Sequence, residues 1–379
     1  MNDVREISVQ DAYRLIRDKN AHVRLVDIRE KEELATGYIE DAAFAPNSLI
    51  NAKAAELFPE KHVPLVLYCA SGRRSLIAAK MLRDMGYTDV TSMAGGFNAW
   101  VEAGYKFKAD GVMTQDQIKR YSRQILLREI GEEGQLRLMR ARVLLAGAGG
   151  LGCPAGLYLA SAGVGTIGIV DSDKVDLSNI HRQVLHTTAD IGRLKTDSAK
   201  DAIGRINPEV NVITYQERLT PDNALKIVND FDIIIDGSDN FETKFLLNDT
   251  SFFAGKPYIF GGAVRFDGQA SVFYPKGGGP CLRCMIPEIP PADSALTCGE
   301  VGVLGVVPGQ IGLVQAAEAL KLILKKGKSL MGRFYVYDCL EGDFKTFIID
   351  RNPSCPLCGQ NPTIRDLSGN YGGRCKRRQ

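Results

Sequence analysis

The apolar positions of this chain fall into strand-length runs separated by stretches of helical spacing, the alternation that builds open α/β sheets. Within residues 1–108, 25–28 (LVDI) and 65–68 (LVLY) read as short buried strands. A polar helix around 30–36 and a turn at Pro46-Asn47 separate them, and 75–85 (SLIAAKMLRDM) has helical spacing that Gly86-Tyr87 stops. Residues 106–113 are polar and aperiodic, so 109–113 reads as a linker between a domain over 1–108 and a second over 114–379. That second domain starts at Thr114-Gln-Asp-Gln117, which fits a capping box ahead of a helix carrying Ile118, Tyr121, Ile125 and Leu126. A strand at 142–146, helical residues 157–162 and a strand at 166–170 form a βαβ unit, and 211–215 and 231–235 read as further strands. The longest apolar region, 301–324, is interrupted by Pro308, Gln310, Gln315, Glu318 and Lys321, so it reads as a buried loop and helix and not as a membrane span.

Composition narrows the class without choosing a chemistry. At 379 residues, 45% hydrophobic and 8% aromatic, the chain has the make-up of a packed protein of two or three domains. A net charge of +2 with no basic stripe gives no reason to expect nucleic acid, and the basic residues at 374–378 read as a solvated tail. Residues 1–10 are polar and carry no secretory signal. Nine cysteines in that setting point to a reducing, cytoplasmic environment in which thiols act as nucleophiles or metal ligands.

The first candidate nucleophile is Cys69, in Cys69-Ala-Ser-Gly-Arg-Arg-Ser75 at the end of a strand. A loop that opens into a helix aims N–H groups and the helix dipole at the sulfur, and Arg73 and Arg74 add positive charge, which favours a thiolate or persulfide anion. A Cys-x5-Arg phosphate cradle fails on spacing, because the sixth residue after Cys69 is Ser75 and Arg74 comes one position early.

The βαβ unit carries the second candidate site. Gly147, Gly149, Gly150 and Gly152 form a turn that brings backbone close to a phosphate, and Asp171, 19 residues past Gly152, is placed for a ribose hydroxyl. NAD, FAD and ATP binders all use such a turn. The surrounding residues favour a triphosphate: Ser178, Asn179, Arg182 and Lys195 supply polar and cationic groups, and 236–240 (DGSDN) ends a strand with Asp239 and Asn240 facing the cofactor crevice. Cations and a metal-binding carboxylate suit transfer at phosphorus, where negative charge gathers on oxygen, whereas a nicotinamide enzyme needs no such set. A carboxylate attacking the α-phosphate is ionised at neutral pH and needs no general base.

Two further motifs are Cys281-Leu-Arg-Cys284 and Cys355-Pro-Leu-Cys358. Four thiolates in two C-x-x-C pairs make a closed tetrahedral Zn²⁺ site, and the 70 residues between the pairs make it a clip joining the tail to the body rather than a local ribbon. Either pair alone is also compatible with a redox C-x-x-C.

The N-terminal segment resembles the rhodanese sulfurtransferases through LVDIRE (25–30), GYIEDAAFAP (37–46), YCASGRRS (68–75) and AGGFNAW (94–100), departing from the family at Tyr38, where His is common. The resemblance implies a persulfide on Cys69. Residues 114–360 resemble the ubiquitin-activating-type enzymes of the MoeB and ThiF group through YSRQILL (121–127), GAGGLG (147–152), VDSDKVDLSNIHRQ (170–183), DGSDN, CLRC, TCGEVGVLGVVPG (297–309) and CPLCG. Together the two resemblances imply a small rhodanese-like α/β domain ahead of a Rossmann-like ubiquitin-activating-type domain with a zinc site.

The second resemblance implies that Gly150, Asp171, Asn179, Arg182 and Lys195 bind ATP, that Asp239 binds Mg²⁺, and that Arg123 reaches the neighbouring subunit's nucleotide in a homodimer. It also implies adenylation of the C-terminal glycine of a ubiquitin-like carrier of the MoaD/ThiS type. Sulfur then comes from thiosulfate or a cysteine desulfurase, for a product used in molybdenum cofactor (molybdopterin), thiamine or cysteine biosynthesis or in tRNA thiolation. Cys298, just ahead of the glycine-rich stretch 299–309, matches a cysteine that in some relatives bonds covalently to the carrier; the stretch itself reads as a flexible crossover loop. The rhodanese comes first here, whereas such relatives usually put it last. A nicotinamide oxidoreductase with an accessory sulfurtransferase and a non-catalytic carrier scaffold are the competing readings.

Overall fold

The computed structural model describes residues 4–18, 21–108, 113–290, 301–369 and 371, and the chain divides into two compact units, Met1–Ile118 and Lys119–Gln379. In the first, strands β1 (Arg5–Ile7), β2 (Arg24–Asp27), β3 (Ala43–Phe44), β4 (Leu65–Tyr68) and β5 (Val90–Met93) form a parallel sheet in the order β1-β5-β4-β2-β3. Helices α1 (Val9–Arg17), α2 (Asn47–Leu57), α3 (Arg73–Asp84) and α4 (Gly96–Glu102) accompany it. Every residue of β4 and β5 is buried, which is why β4 reads as an unbroken apolar run. The polar stretch at 31–36 is a 3₁₀ turn with a Glu30–Glu33 capping box. Pro46-Asn47 does not simply turn: Pro46 caps α2, which buries Ile50 and Ala54. Lys53 is non-helical inside α2, so its apolar spacing is broken and the helix is hidden from periodicity.

In the second unit the helices are α5 (Gln115–Ile125), which crosses the boundary, α6 (Gly131–Arg140), α7 (Gly152–Ser161), α8 (Lys195–Ile206), α9 (Pro221–Asn229), α10 (Phe241–Ala254), α11 (Leu282–Met285) and α12 (Val306–Leu324). The expected capping box starts α5: Gln117 N–H donates to Thr114 Oγ1 and Thr114 N–H donates to Gln117 Oε1. The strands are β6 (Arg142–Ala146), β7 (Thr166–Val170), β8 (Asn211–Tyr215), β9 (Ile233–Asp236), β10 (Tyr258–Val264), β11 (Asp267–Phe273), β12 (Arg333–Asp338) and β13 (Asp343–Ile348). They make one sheet ordered β13-β12-β11-β10-β9-β6-β7-β8, parallel from β10 to β8 and antiparallel from β10 to β13. The strand expected at 231–235 begins two residues later, because Phe231 is a buried core side chain ahead of the ladder.

Chain order steps from β6 toward β7 and β8 on one side, while β9 pairs with β6 on the other. The gap between the ends of β6 and β9 is therefore the topological switch point at which an open α/β sheet binds its ligand. Residues 306–309, expected as loop, form the first turn of α12, where Pro308 has no helical N–H to lose. Helix α12 is long and apolar enough to cross a membrane by length and composition. Its apolar side chains Val307, Ile311, Ala316 and Ala319 are buried in the core, and its buried Gln315 donates to Asp236 O and Ile259 O at 2.8 and 3.0 Å, so it is a core helix.

Candidate active site

Cys69 follows β4 and opens the turn into α3, and two glycine turns interlock around it. Gly72 has φ +85° and a side chain there would meet Gly95 N at 2.9 Å, while one at Gly96 (φ +58°) would lie 2.2 Å from Cys69 O. The first residues of α4 take up the loop's carbonyls, Phe97 N–H donating to Cys69 O and Asn98 N–H to Ala70 O. The N–H groups of Ser71, Arg74 and Ser75 point to the sulfur instead. Burial raises the Cys69 thiol, but hydrogen bonds from the Ser75 backbone and hydroxyl and from the Ser71 and Arg74 backbone outweigh it, so its pKa falls below that of an ordinary thiol. Ser75 Oγ stands 3.7 Å from Cys69 Sγ and receives a 3.0 Å bond from Ser92 Oγ.

The two arginines do not act alike. Arg74 is paired with Glu33 through two bonds of 2.7 and 2.6 Å, which holds Glu33 at about 2, while Arg73 is exposed with no ion pair among the described residues. A cleft of about 460 Å³ opens beside the loop at Ala70, lined by Glu33, Phe97, Asn98 and Val101. Because the donors favour the anion, alkylation of Cys69 by iodoacetamide should inflect at lower pH than for a free thiol, and Ser75→Ala should move that inflection upward. An unchanged profile in the variant counts against the hydroxyl's part.

At the switch point the glycine turn is built by close backbone approach. Gly147 has φ +112° and a side chain there would meet Gly237 O at 2.8 Å, so the turn presses against the 236–240 turn at the end of β9; at Gly152 it would meet Gly147 O at 1.9 Å. Over Gly150 stand Pro308 and Arg182, 3.1 and 3.5 Å from where a Cβ would sit. Gln183 Nε2 lies 3.9 Å from where a Gly149 Cβ would sit, and its buried Oε1 has no hydrogen-bond partner among the described residues. Asp239 is exposed, and among the described residues its side chain accepts one hydrogen bond, from Asn240 Nδ2 at 3.3 Å; Asn240 itself caps α10 by accepting from Thr243 N–H.

Several expected nucleotide residues are engaged locally. Asp171 accepts from Ala148 N–H (2.9 Å) and Asp173 N–H (2.8 Å), tying the glycine turn to the end of β7. Asp176 caps a 3₁₀ turn with Ser178 and Asn179, and Arg182 Nη1 donates to Ser178 O at 2.8 Å. Lys195 starts α8, almost buried, its Nζ bonded to Asp173 Oδ2 at 2.9 Å. Arg123 is exposed on α5, and Cys298 lies outside the described residues.

Sequence reasoning missed the scaffold beneath Asp239. Buried Asp236 accepts from Lys244 Nζ (2.9 Å), Tyr258 OH (2.7 Å) and Ser238 Oγ (2.6 Å), and Lys244 also donates to Ser238 O and Gly261 O. This satisfied network holds the turn that presents Asp239. Its trace in the sequence is a lysine eight residues past a strand-end Asp.

The four motif cysteines converge. Cys281 Sγ lies 3.8, 3.5 and 3.4 Å from the sulfurs of Cys284, Cys355 and Cys358, and Cys284 lies 3.4 Å from Cys358. A tetrahedral zinc with Zn–S of about 2.3 Å needs S···S of about 3.8 Å, so the donor set fits. Arg283, inside the first pair, makes a bidentate bond to buried Asp249, which also accepts from Tyr371 OH at 2.7 Å, so the knuckle is anchored to α10 and to the C-terminal segment. Cys355→Ser should therefore reduce bound zinc from about one per chain and lower the melting temperature by on the order of 5–10 °C. Metal analysis and calorimetry check this, and full zinc retention would separate the two pairs.

Residues 121–357 match the ThiF family and residues 8–103 the rhodanese-like domain. The chain belongs to the ThiF family. It is 47% identical over 258 residues to a "Sulfur carrier protein adenylyltransferase" of Thermus thermophilus, a match spanning 67% of this chain and 95% of that protein. It is 46% identical over 264 residues to "Adenylyltransferase and sulfurtransferase MOCS3" of Sus scrofa, spanning 69% of this chain but 58% of that one. Among solved structures, E. coli MccB with ATP superposes with TM-score 0.56 at 25% identity, covering 63% of this chain and 74% of that chain. This ThiF-family chain is thus an adenylyltransferase with a rhodanese-like domain ahead of it. The match favours neither a nicotinamide oxidoreductase nor a non-catalytic scaffold.

Proposed function

We propose that this chain adenylates the C-terminal glycine carboxylate of a ubiquitin-like sulfur carrier of the MoaD/ThiS type and converts it to a thiocarboxylate with sulfur held on Cys69. The carrying observation is the meeting of the glycine turn, Arg182 and the Asp239 turn at one strand-end crevice, in a chain whose other unit holds an activated thiol. ATP would lie against Gly150, with Asp171, Ser178, Asn179, Lys195 and Asn240 around it. Arg182 would stabilise charge at the α-phosphate, and Arg123 would reach across a homodimer to the partner's nucleotide. Asp239 would hold Mg²⁺, which neutralises phosphate charge when bound. The four cysteines would hold Zn²⁺ as a structural clip.

In the first step a carrier carboxylate oxygen attacks the α-phosphorus, the bond to the bridging oxygen breaks, and pyrophosphate leaves. The terminal sulfur of the Cys69 persulfide, loaded from thiosulfate or a desulfurase, then attacks the acyl carbon and expels AMP, giving an acyl disulfide. A second thiol, assigned here to Cys298, attacks the Cys69 sulfur, releases the thiocarboxylate and leaves a disulfide that an external thiol reduces. Incubation with ATP, thiosulfate and candidate carriers of the molybdenum cofactor and thiamine type, followed by intact-mass measurement, tests the reading. One carrier should gain the mass of sulfur in place of oxygen, and no ATP-dependent change in any of them would remove the proposal.

A further inference from the structure

The glycine turn is held at residue 148 through both of its adjoining peptides, the N–H of one and the carbonyl of the next, and one of the two holders is an imidazole with no part in the chemistry above. Ala148 N–H donates to Asp171 Oδ2 at 2.9 Å, and Ala148 O lies 3.0 Å from His186 Nε2. A carbonyl oxygen only accepts, so Nε2 carries the proton; Nδ1 is then the acceptor for Ser198 Oγ, 2.8 Å away. Ser198 sits one turn into α8, the helix that begins with Lys195. His186 and Ser198 are both buried, and burial keeps the imidazole's pKa below its ordinary value and so keeps it neutral. Cys153, beneath the turn on α7, adds a thiol 3.2 Å from the same Ala148 oxygen and, with its own pKa pushed up by burial to about 12, remains a thiol.

We infer that His186 is a positioning residue for nucleotide binding: through Ala148 O and Ser198 it locks the phosphate-facing glycine turn to the helix that carries Lys195. The inference rests on the adenylation reading. The turn's N–H groups bind phosphate only if the peptides are oriented before the ligand arrives, and residue 148 is the second of the turn, where one rotated peptide swaps a donor for a carbonyl. His186 does not touch the ligand; it sets which way the peptide faces. Removing it leaves Ala148 O with only the weak Cys153 thiol as donor and detaches the turn from α8. The expected loss of ATP affinity is about tenfold or more, the usual scale of removing a buried hydrogen-bond partner.

The test is direct binding of ATP·Mg²⁺ to the full-length protein by calorimetry well below the melting temperature, with zinc content and thiosulfate sulfurtransfer as controls for folding. His186→Leu should bind ATP about tenfold or more weakly, while His186→Gln, whose amide supplies both a donor and an acceptor, should recover most of the affinity. Ser198→Ala should fall between them. A merely structural role would lower the melting temperature of His186→Leu and leave the dissociation constant of the folded fraction where it was. Equal affinity in wild type and folded His186→Leu would overturn the inference alone, and so would a His186→Gln variant as weak as the leucine one. If His186→Leu does not fold, Ser198→Ala and His186→Gln decide, because equal ATP affinity in wild type and Ser198→Ala contradicts the link to α8. No binding of ATP by the wild type would remove the adenylation reading itself.

Discussion

Asp239→Ala and Arg182→Ala should each lower carrier-dependent exchange of pyrophosphate into ATP by roughly 10²–10³-fold or more while thiosulfate sulfurtransfer stays at the wild-type rate. The reason lies in the charge each group handles. Adenylation gathers negative charge on phosphate oxygens, and no general base is needed, so the rate rests on positioned positive charge. Asp239 is the exposed carboxylate at the end of β9, and Arg182 stands over Gly150. Neither belongs to the unit that holds Cys69. Isotope exchange measured in the presence of the carrier checks the pair, and exchange at the wild-type rate in both variants would end the assignment. Lys244→Met is a useful companion, because it removes the ammonium that neutralises buried Asp236 beneath the Asp239 turn and should weaken exchange together with stability.

Cys69→Ala should abolish both sulfurtransfer and thiocarboxylate formation and leave pyrophosphate exchange unchanged. The buried sulfur receives the hydrogen bonds of Ser71, Arg74 and Ser75, and no second thiol among the described residues has such donors around it without also belonging to the four-cysteine cluster. Comparison with Cys298→Ala then divides two routes. If Cys298 resolves the acyl disulfide, its variant exchanges pyrophosphate normally and stops before free thiocarboxylate, with the carrier trapped on Cys69. Thiocarboxylate made at the normal rate by Cys298→Ala, with thiosulfate as donor, would show that an external thiol does the resolving.

The sequence alone determined several of the parallel strands and the punctuation that ends them, while β1, β3, β5 and β10 were not read from it. β4, β6 and β7 begin and end where the apolar runs do, because a strand covered on both faces has little polar choice and Cys, Gly or Asp follows its end. The Thr114–Gln117 capping box was equally local, since both partners lie within one turn. Tertiary structure decided what depends on partners far along the chain. It brought Cys281 and Cys284 to Cys355 and Cys358 across 70 intervening residues, and it set Arg74 against Glu33 rather than against the sulfur alone. It also brought Asp171, expected to hold a ribose hydroxyl, against the Ala148 and Asp173 amides, which no spacing rule shows. β13 escaped periodicity because it is exposed on both faces, so no burial pattern selects its apolar positions. His186 and Lys244 are single polar residues in mixed surroundings, and only the fold shows that the carbonyls and carboxylates they meet are buried. A buried polar group must find its partner wherever the chain supplies one, and that choice is made by packing, not by spacing.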